Sequence, residues 1–168
     1  SEAEAVDEAL AQADDAVRVR LADGGSIGCH LSGGIDSSTI VALVRRHISG
    51  ELKTFSIGFR EEKFNELPYA RQVAQQFDTR HHEFVVEPSA LECLGDLAWF
   101  FDEPMADSSG IPTYYLCKLT AEHVDIAFNG DGGDESFAGY GRYAKCKARS
   151  RFDMIPRPLR AFADGPFA

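Results

Sequence analysis

One string constrains this chain more than any other: Ser32-Gly33-Gly34-Ile35-Asp36-Ser37-Ser38. A short, mostly apolar run at 26–31 precedes it, and Ile40, Val41, Leu43 and Val44 follow at helical spacing. That order describes a buried strand turning on two glycines into a helix. Gly33 and Gly34 let the backbone approach an anion with no Cβ in the way. The helix that begins near Asp36 aims N–H groups and the positive end of its dipole back at the loop. Ser32, Ser37 and Ser38 add hydroxyl donors. Together these are the parts of a phosphate cradle.

The cradle is neither of the two commonest kinds. A P-loop needs Lys and Ser/Thr after its last glycine, where this chain has Ile35-Asp36-Ser37, and the G-x-G-x-x-G fingerprint is not matched. An aspartate inside a phosphate loop repels the phosphates unless a cation bridges them. Asp36 therefore reads as a ligand for a divalent ion, and Mg2+, which prefers oxygen, suits it.

The rest of the chain alternates strand and helix signals. Val6, Leu10, Ala13, Val17 and Leu21 mark an amphipathic helix over 3–21. Further strands are expected at 54–59, 83–86 and 124–128, and further helices at 66–77, from a Ser89/Glu92 capping box to about 101, and at 112–123. Arg142, Lys145, Lys147, Arg149 and Arg151 read as a solvated helix face, and 152–168 as a proline-containing tail. The pattern implies an α/β fold, a parallel sheet with helices on both faces. Ligands of such sheets bind beyond the carboxyl ends of the strands. The expected organisation is a leading helix at 1–22, one domain over 23–150, and the tail at 151–168 as the start of a further part.

A second loop gathers acidic groups at such an end: Asn129-Gly130-Asp131-Gly132-Gly133-Asp134-Glu135. A calcium-binding EF-hand begun at Asn129 needs Gly where Asp134 stands and Glu where Tyr140 stands, so that reading fails. A solvated acidic turn is the plain alternative.

The formal charge is −10, from 17 Lys+Arg against 27 Asp+Glu, which gives no attraction to nucleic acid or anionic membrane. Neither is expected as a partner, and no apolar run reaches bilayer length. The acidic start does not read as a signal peptide. Cys29, Cys93, Cys117 and Cys146 are scattered, which argues against a zinc site or a disulfide framework and fits the cytoplasm.

With both loops in view, the chain resembles the synthetase domain of the glutamine-dependent asparagine synthetases, members of the N-type ATP pyrophosphatase (PP-loop) superfamily. The resemblance rests on 31–38, Thr54-Phe55-Ser56-Ile57-Gly58-Phe59, Asn65-Glu66-Leu67-Pro68-Tyr69-Ala70, Asp102-Glu103-Pro104, Ile111-Pro112-Thr113-Tyr114 and 130–140, in the family's order. It implies an adenine nucleotide alpha-hydrolase-like (HUP-type) fold. It also implies a ligase that adenylates a carboxylate, aspartate in the main family, releases pyrophosphate, and lets ammonia form the amide.

Carried over by motif, Ser32, Gly33, Gly34, Asp36, Ser37 and Ser38 would grip pyrophosphate. Leu31, Ile57, Asn129 and Gly130 would contact the nucleoside, partly through backbone. Asp36 and Asp134 would bind Mg2+, and Asp131 would stand near the reacting carboxylate as the catalytic acidic residue.

Asn129 stands where the family often has Ser, and Ala138 where it often has Gly. The family's glutaminase domain and a later phosphate-neutralising Lys are not found in this stretch, so a fragment of a longer enzyme is expected, with ammonia supplied by a glutaminase elsewhere. An oligomer is compatible with the sequence. Two alternatives stay open: a divergent relative acting in β-lactam, lasso-peptide or sugar-acid amidation, and a nucleotide-binding module without catalysis.

Overall fold

Apolar runs of strand length alternate with helical periodicity along the chain, and in the computed structural model this alternation becomes a parallel sheet. The structure describes residues 1–22, 24–60, 65–86, 90–103 and 106–153. Their elements are α1 (Glu2–Leu21), β1 (Ile27–His30), α2 (Ile35–His47), β2 (Lys53–Gly58), α3 (Leu67–Gln76), β3 (Arg80–Val85), α4 (Ala90–Phe101), α5 (Gly110–Thr120), β4 (Ile126–Phe128), α6 (Gly133–Phe137) and α7 (Gly141–Asp153). They fall into two units, Ser1–Gly130 and Asp131–Ala168.

The first unit holds the sheet. Its strand order is β3-β2-β1-β4 with every pairing parallel. The chain steps from β1 to β2 to β3 in one direction, then returns to place β4 on the other side of β1. That reversal makes a topological switch point between the carboxyl ends of β1 and β4, where open α/β sheets bind ligands.

Period-two alternation divides the sheet's side chains between two faces. On one, Cys29, Leu31 and Phe128 join Val41, Val44, Ala70, Ala74 and Val17 in the apolar core that α1, α2 and α3 cover. On the other, the buried Phe55 ring stacks on His82 at 5.2 Å, on His123 at 5.7 Å and on Phe84 at 6.1 Å. α5 approaches β2, and the turn after α5 carries His123. The expected sheet with helices on both faces is therefore present.

Local differences from the sequence expectation have physical causes. β3 begins at Arg80 rather than 83, because its histidines find partners inside the fold. His81 Nδ1 lies 2.9 Å from Thr54 Oγ1, and His82 joins the ring stack. Along α1 only Val17 is buried, while Val6 and Leu10 are 52% and 45% exposed. A helix of 20 residues is about 30 Å long, more than α2 and a four-residue strand can cover. Asp14 ties it to α2 through Arg46 at 3.2 Å and His47 at 3.1 Å. A capping box does open a helix, but at Ser1 and Glu4 of α1; the one expected at Ser89 lies outside the described residues.

The second unit converts part of the expected 129–140 loop into α6 and carries the basic cluster on α7. Arg142, Lys145, Lys147 and Arg149 are exposed, as a solvated helix face requires. Arg142 also lies over the Tyr140 ring at 4.3 Å.

The histidines of β3 make stability pH-dependent. Burial lowers the pKa of His81, opposed in part by Glu83; burial lowers that of His82, reinforced by His123, Arg80 and Lys53. Both folded-state values lie below the unfolded ones, so the unfolded chain takes up these protons first. Stability is then complete above the ordinary histidine pKa of about 6.5 and is lost as pH falls below it. Thermal unfolding between pH 7.5 and 5.5 is expected to show a falling midpoint. His82→Phe, which keeps the ring stack, is expected to flatten that fall.

Candidate nucleotide site

The phosphate-loop string leaves β1 one residue past its last paired position. The Leu31 N–H donates to the Phe55 carbonyl at 2.8 Å, and the buried Ser56 hydroxyl donates to the Leu31 carbonyl. Gly33 then turns with φ +88, a left-handed conformation that glycine adopts without strain. A Cβ there would lie 2.6 Å from the main chain of Tyr69 and Ala70. The first turn of α3 thus buttresses the loop, and only hydrogen fits between them.

Serine hydroxyls knit the loop from within. The Ser32 N–H donates to Ser37 Oγ at 3.3 Å, and the two hydroxyl oxygens lie 3.0 Å apart. The Gly34 N–H donates to Ser32 Oγ at 3.2 Å, and the Ser37 hydroxyl donates to the Gly34 carbonyl at 3.3 Å. Ser37 therefore shapes the loop as well as lining it.

Gly34 is the N-cap of α2 and supplies no capping side chain. The first intrahelical bond runs from the Ser38 N–H to the Gly34 carbonyl at 3.1 Å. The amides ahead of it carry the positive end of the dipole. Ser38 Oγ is buried without a hydrogen-bond partner. An uncapped helix start and an orphaned hydroxyl are the features that an oxyanion would satisfy.

The end of β4 reaches the same place. A Cβ on Gly130 would lie 2.7 Å from the Ser37 nitrogen and 2.9 Å from the Asp36 carbonyl carbon. Glycine at 130 lets the backbone after β4 lie against the first turn of α2. Of the residues singled out in the sequence, the first unit thus brings together Leu31, Ser32, Gly33, Gly34, Asp36, Ser37, Ser38 and Gly130. Asn129 sits beside Gly130, and Ile57 near the carboxyl end of β2.

Asp131 and Asp134 belong to the second unit. Gly132, at φ +92, is the N-cap of α6, and Asp134 stands in that helix's first turn. A methyl on Gly139 would overlap the Asp134 carboxylate, so glycine there makes room for it. Ala138 has φ 57 and ψ 38, the left-handed region, at the position where the resembled family often has glycine. The Tyr140 hydroxyl donates to Glu135 at 2.7 Å and holds that carboxyl below its usual range.

The donor chemistry fits magnesium. Among the described residues no group of three or more His, Cys, Asp or Glu side chains could hold a metal alone. Mg2+ is usually held by one or two carboxylates, water and substrate phosphates. Asp36, in the first turn of α2, is a carboxylate that could serve as one such oxygen ligand.

The asparagine synthase family model matches residues 6–166. The chain belongs to the asparagine synthase family. It is 41% identical over 148 residues to a putative glutamine-hydrolysing asparagine synthetase of Methanocaldococcus jannaschii, covering 87% of this chain and 28% of that protein. It is 37% identical over 147 residues to asparagine synthetase 1 of Bacillus subtilis, covering 87% and 23%. The chain thus spans under a third of the length of these relatives.

Among solved structures, an NH3-dependent NAD synthetase from Campylobacter jejuni shares the fold of this family member with a TM-score of 0.51 at 17% identity, over 80% of this chain and 60% of that one. An NMN synthetase from Francisella tularensis gives 0.50 at 14%, over 78% and 58%. The fold is the adenine nucleotide alpha-hydrolase-like one expected. Among the described residues no helix is long and apolar enough to cross a membrane.

Sequence reasoning missed the supports of this family's loop: Ser56 below Leu31, and the first turn of α3 behind Gly33. A signal for the first was available. Thr54 and Ser56 are polar residues at alternate positions of a strand that otherwise reads as buried.

Gly33 and Gly24 separate two costs. Both have positive φ, but nothing lies within 4 Å of a Cβ on Gly24. Gly24→Ala is expected to cost only backbone strain. Gly33→Ala adds the collision with α3, and its total is expected on the order of 1–3 kcal/mol above Gly24→Ala. Urea unfolding of the two variants measures the difference.

Proposed function

We propose that this chain forms the nucleotide-binding part of an ATP-dependent amide-forming synthetase that activates a carboxylate, with aspartate as substrate and asparagine as product. One observation carries the reading: a glycine loop and an uncapped helix start, with an orphaned Ser38 hydroxyl, meet at the sheet's switch point in a member of the asparagine synthase family. Residues 23–150 are taken as the synthetase domain, with 1–22 as its leading helix and 151–168 opening a further part.

In this reading the loop amides and the hydroxyls of Ser32 and Ser38 hold the β- and γ-phosphates, with Ser37 holding the loop in shape. Leu31, Ile57, Asn129 and Gly130 border the nucleoside. Asp36 and Asp134 would hold Mg2+, which when bound would supply positive charge beside the phosphates. A carboxylate oxygen of aspartate attacks the α-phosphorus, and the bond to the bridging oxygen of pyrophosphate breaks. Ammonia then attacks the acyl carbon, AMP leaves, and the amide loses its extra proton to a base. By motif, Asp131 is the acidic candidate for that role.

Fixed N–H donors support this chemistry because they need no reorganisation as charge builds on the transferring group. Ammonia would come from a glutaminase domain, and assembly into an oligomer is compatible with the reading. A cytoplasmic setting is supported by four cysteines scattered along the chain with no C-x-x-C pair.

Calorimetric titration of ATP into the chain with and without Mg2+ tests the site. Asp36→Asn is expected to weaken Mg2+-dependent binding about tenfold or more, the loss of a charge-assisted contact, with little change in EDTA. Unchanged Mg2+-dependent affinity would remove Asp36 from the metal. Pyrophosphate release by the full-length protein is expected with aspartate and ammonia; if no carboxylic acid supports release while ATP still binds, the synthetase assignment is overturned.

A further inference from the structure

Ser56 is polar, is 3% exposed, and donates its hydroxyl to the main-chain carbonyl of Leu31. Leu31 is thus held by β2 in two different ways. Its N–H bonds to main chain, the Phe55 carbonyl at 2.8 Å, while its carbonyl bonds to a side chain. In a parallel ladder continued by one more step, the Leu31 carbonyl would accept from the Ile57 N–H. Pairing of β1 with β2 stops at His30 and Phe55, and among the described residues no main-chain bond joins Ile57 N–H to Leu31.

The direction of the Ile57 amide follows from alternation along β2. The carbonyls of Leu52 and Gly58 accept from Arg80 and Val86, at 2.8 and 3.2 Å, so even-numbered residues face β3. The Phe55 carbonyl accepts from Leu31, so odd-numbered residues face β1. Ile57 therefore turns its N–H and carbonyl toward the space past the end of β1, which the chain vacates as it enters the phosphate loop at Ser32.

We propose that Ser56 is a positioning residue: its hydroxyl takes the Leu31 carbonyl, ends the β1–β2 ladder one bond early, and keeps the Ile57 main chain for the nucleotide's base. The base contact rests on the nucleotide reading above; the ladder break does not. Ser56 touches no reacting atom, and it acts through Leu31 and Ile57. The same hydroxyl fixes the carbonyl from which the loop departs, so one side chain sets the base side of the site and anchors its phosphate side.

Ser56→Ala removes the hydroxyl and adds no volume, so the Ile57 N–H is free to close on the Leu31 carbonyl. In the ligand-free protein, amide hydrogen exchange read by NMR is expected to be faster at Ile57 than at Phe55. Ile57 exchange is expected to slow about tenfold in Ser56→Ala, as a main-chain bond forms. In calorimetry, Ser56→Ala is expected to bind Mg2+-ATP about tenfold more weakly while inorganic pyrophosphate binds as in wild type. Ser56→Thr, which retains the hydroxyl, is expected to restore ATP binding.

Unchanged Ile57 exchange in Ser56→Ala, with wild-type ATP binding intact, overturns this proposal alone. Equal losses for ATP and pyrophosphate overturn it as well, since they mark general loosening of the loop. A wild-type chain that binds neither ligand overturns the nucleotide reading and, with it, the base contact.

Discussion

The last main-chain bond between the central strand and β2 joins the Leu31 N–H to the Phe55 carbonyl at 2.8 Å, and one residue later the chain turns away. The geometry of the site depends on where that bond falls. It sets the point at which backbone leaves the sheet, and so the position of Gly33 against α3 and of Gly34 at the start of α2. A longer β1 would carry Ser32 into the ladder and leave the helix start without its loop. A shorter one would release Leu31 from β2 and from the core it shares with Val41 and Val44. The cradle is therefore held by the sheet below it, by α3 behind it, and by its own serines within it.

Close packing at two glycines turns this arrangement into a binding surface. Gly33 lies against the main chain of α3, and Gly130 against the first turn of α2. In both places a methyl group would push apart elements that must touch if helix amides are to stay aimed at one spot. Glycine at these positions costs conformational entropy on folding, which the surrounding apolar face offsets. The opposite face of the sheet is built differently, from stacked histidine and phenylalanine rings.

Much of the fold was legible in the residues. The strand–glycine–helix string marked β1, the loop and α2 within about two residues, and the alternation of apolar runs implied a parallel sheet. β3 was read short because Arg80, His81 and His82 look like surface residues until Thr54 and Phe55 supply their partners. α1 was read as an amphipathic helix, but how little of its stripe is buried was not legible, because periodicity reports which face is apolar and says nothing of how far the neighbouring element extends. The loop residues were legible as a set, but the reason for each was not. Ser37 is as much a brace as a lining group, and the orphaned hydroxyl at Ser38 is visible only with its neighbours in place.

By itself, the sequence determined the chemistry on offer: glycines, hydroxyls and a carboxylate at the start of a helix, on a chain of the asparagine synthase family. These are local properties, carried by residue type and by spacing within one turn. The strand order β3-β2-β1-β4 was decided by tertiary structure alone, since it depends on which apolar faces meet across many residues. That order puts the backbone after β4 beside the start of α2, 93 positions apart along the chain between Ser37 and Gly130, at a separation only glycine tolerates. It also puts Ser56 beneath Leu31, because register brings a side chain of one strand to the main chain of the next, and no short-range pattern records register.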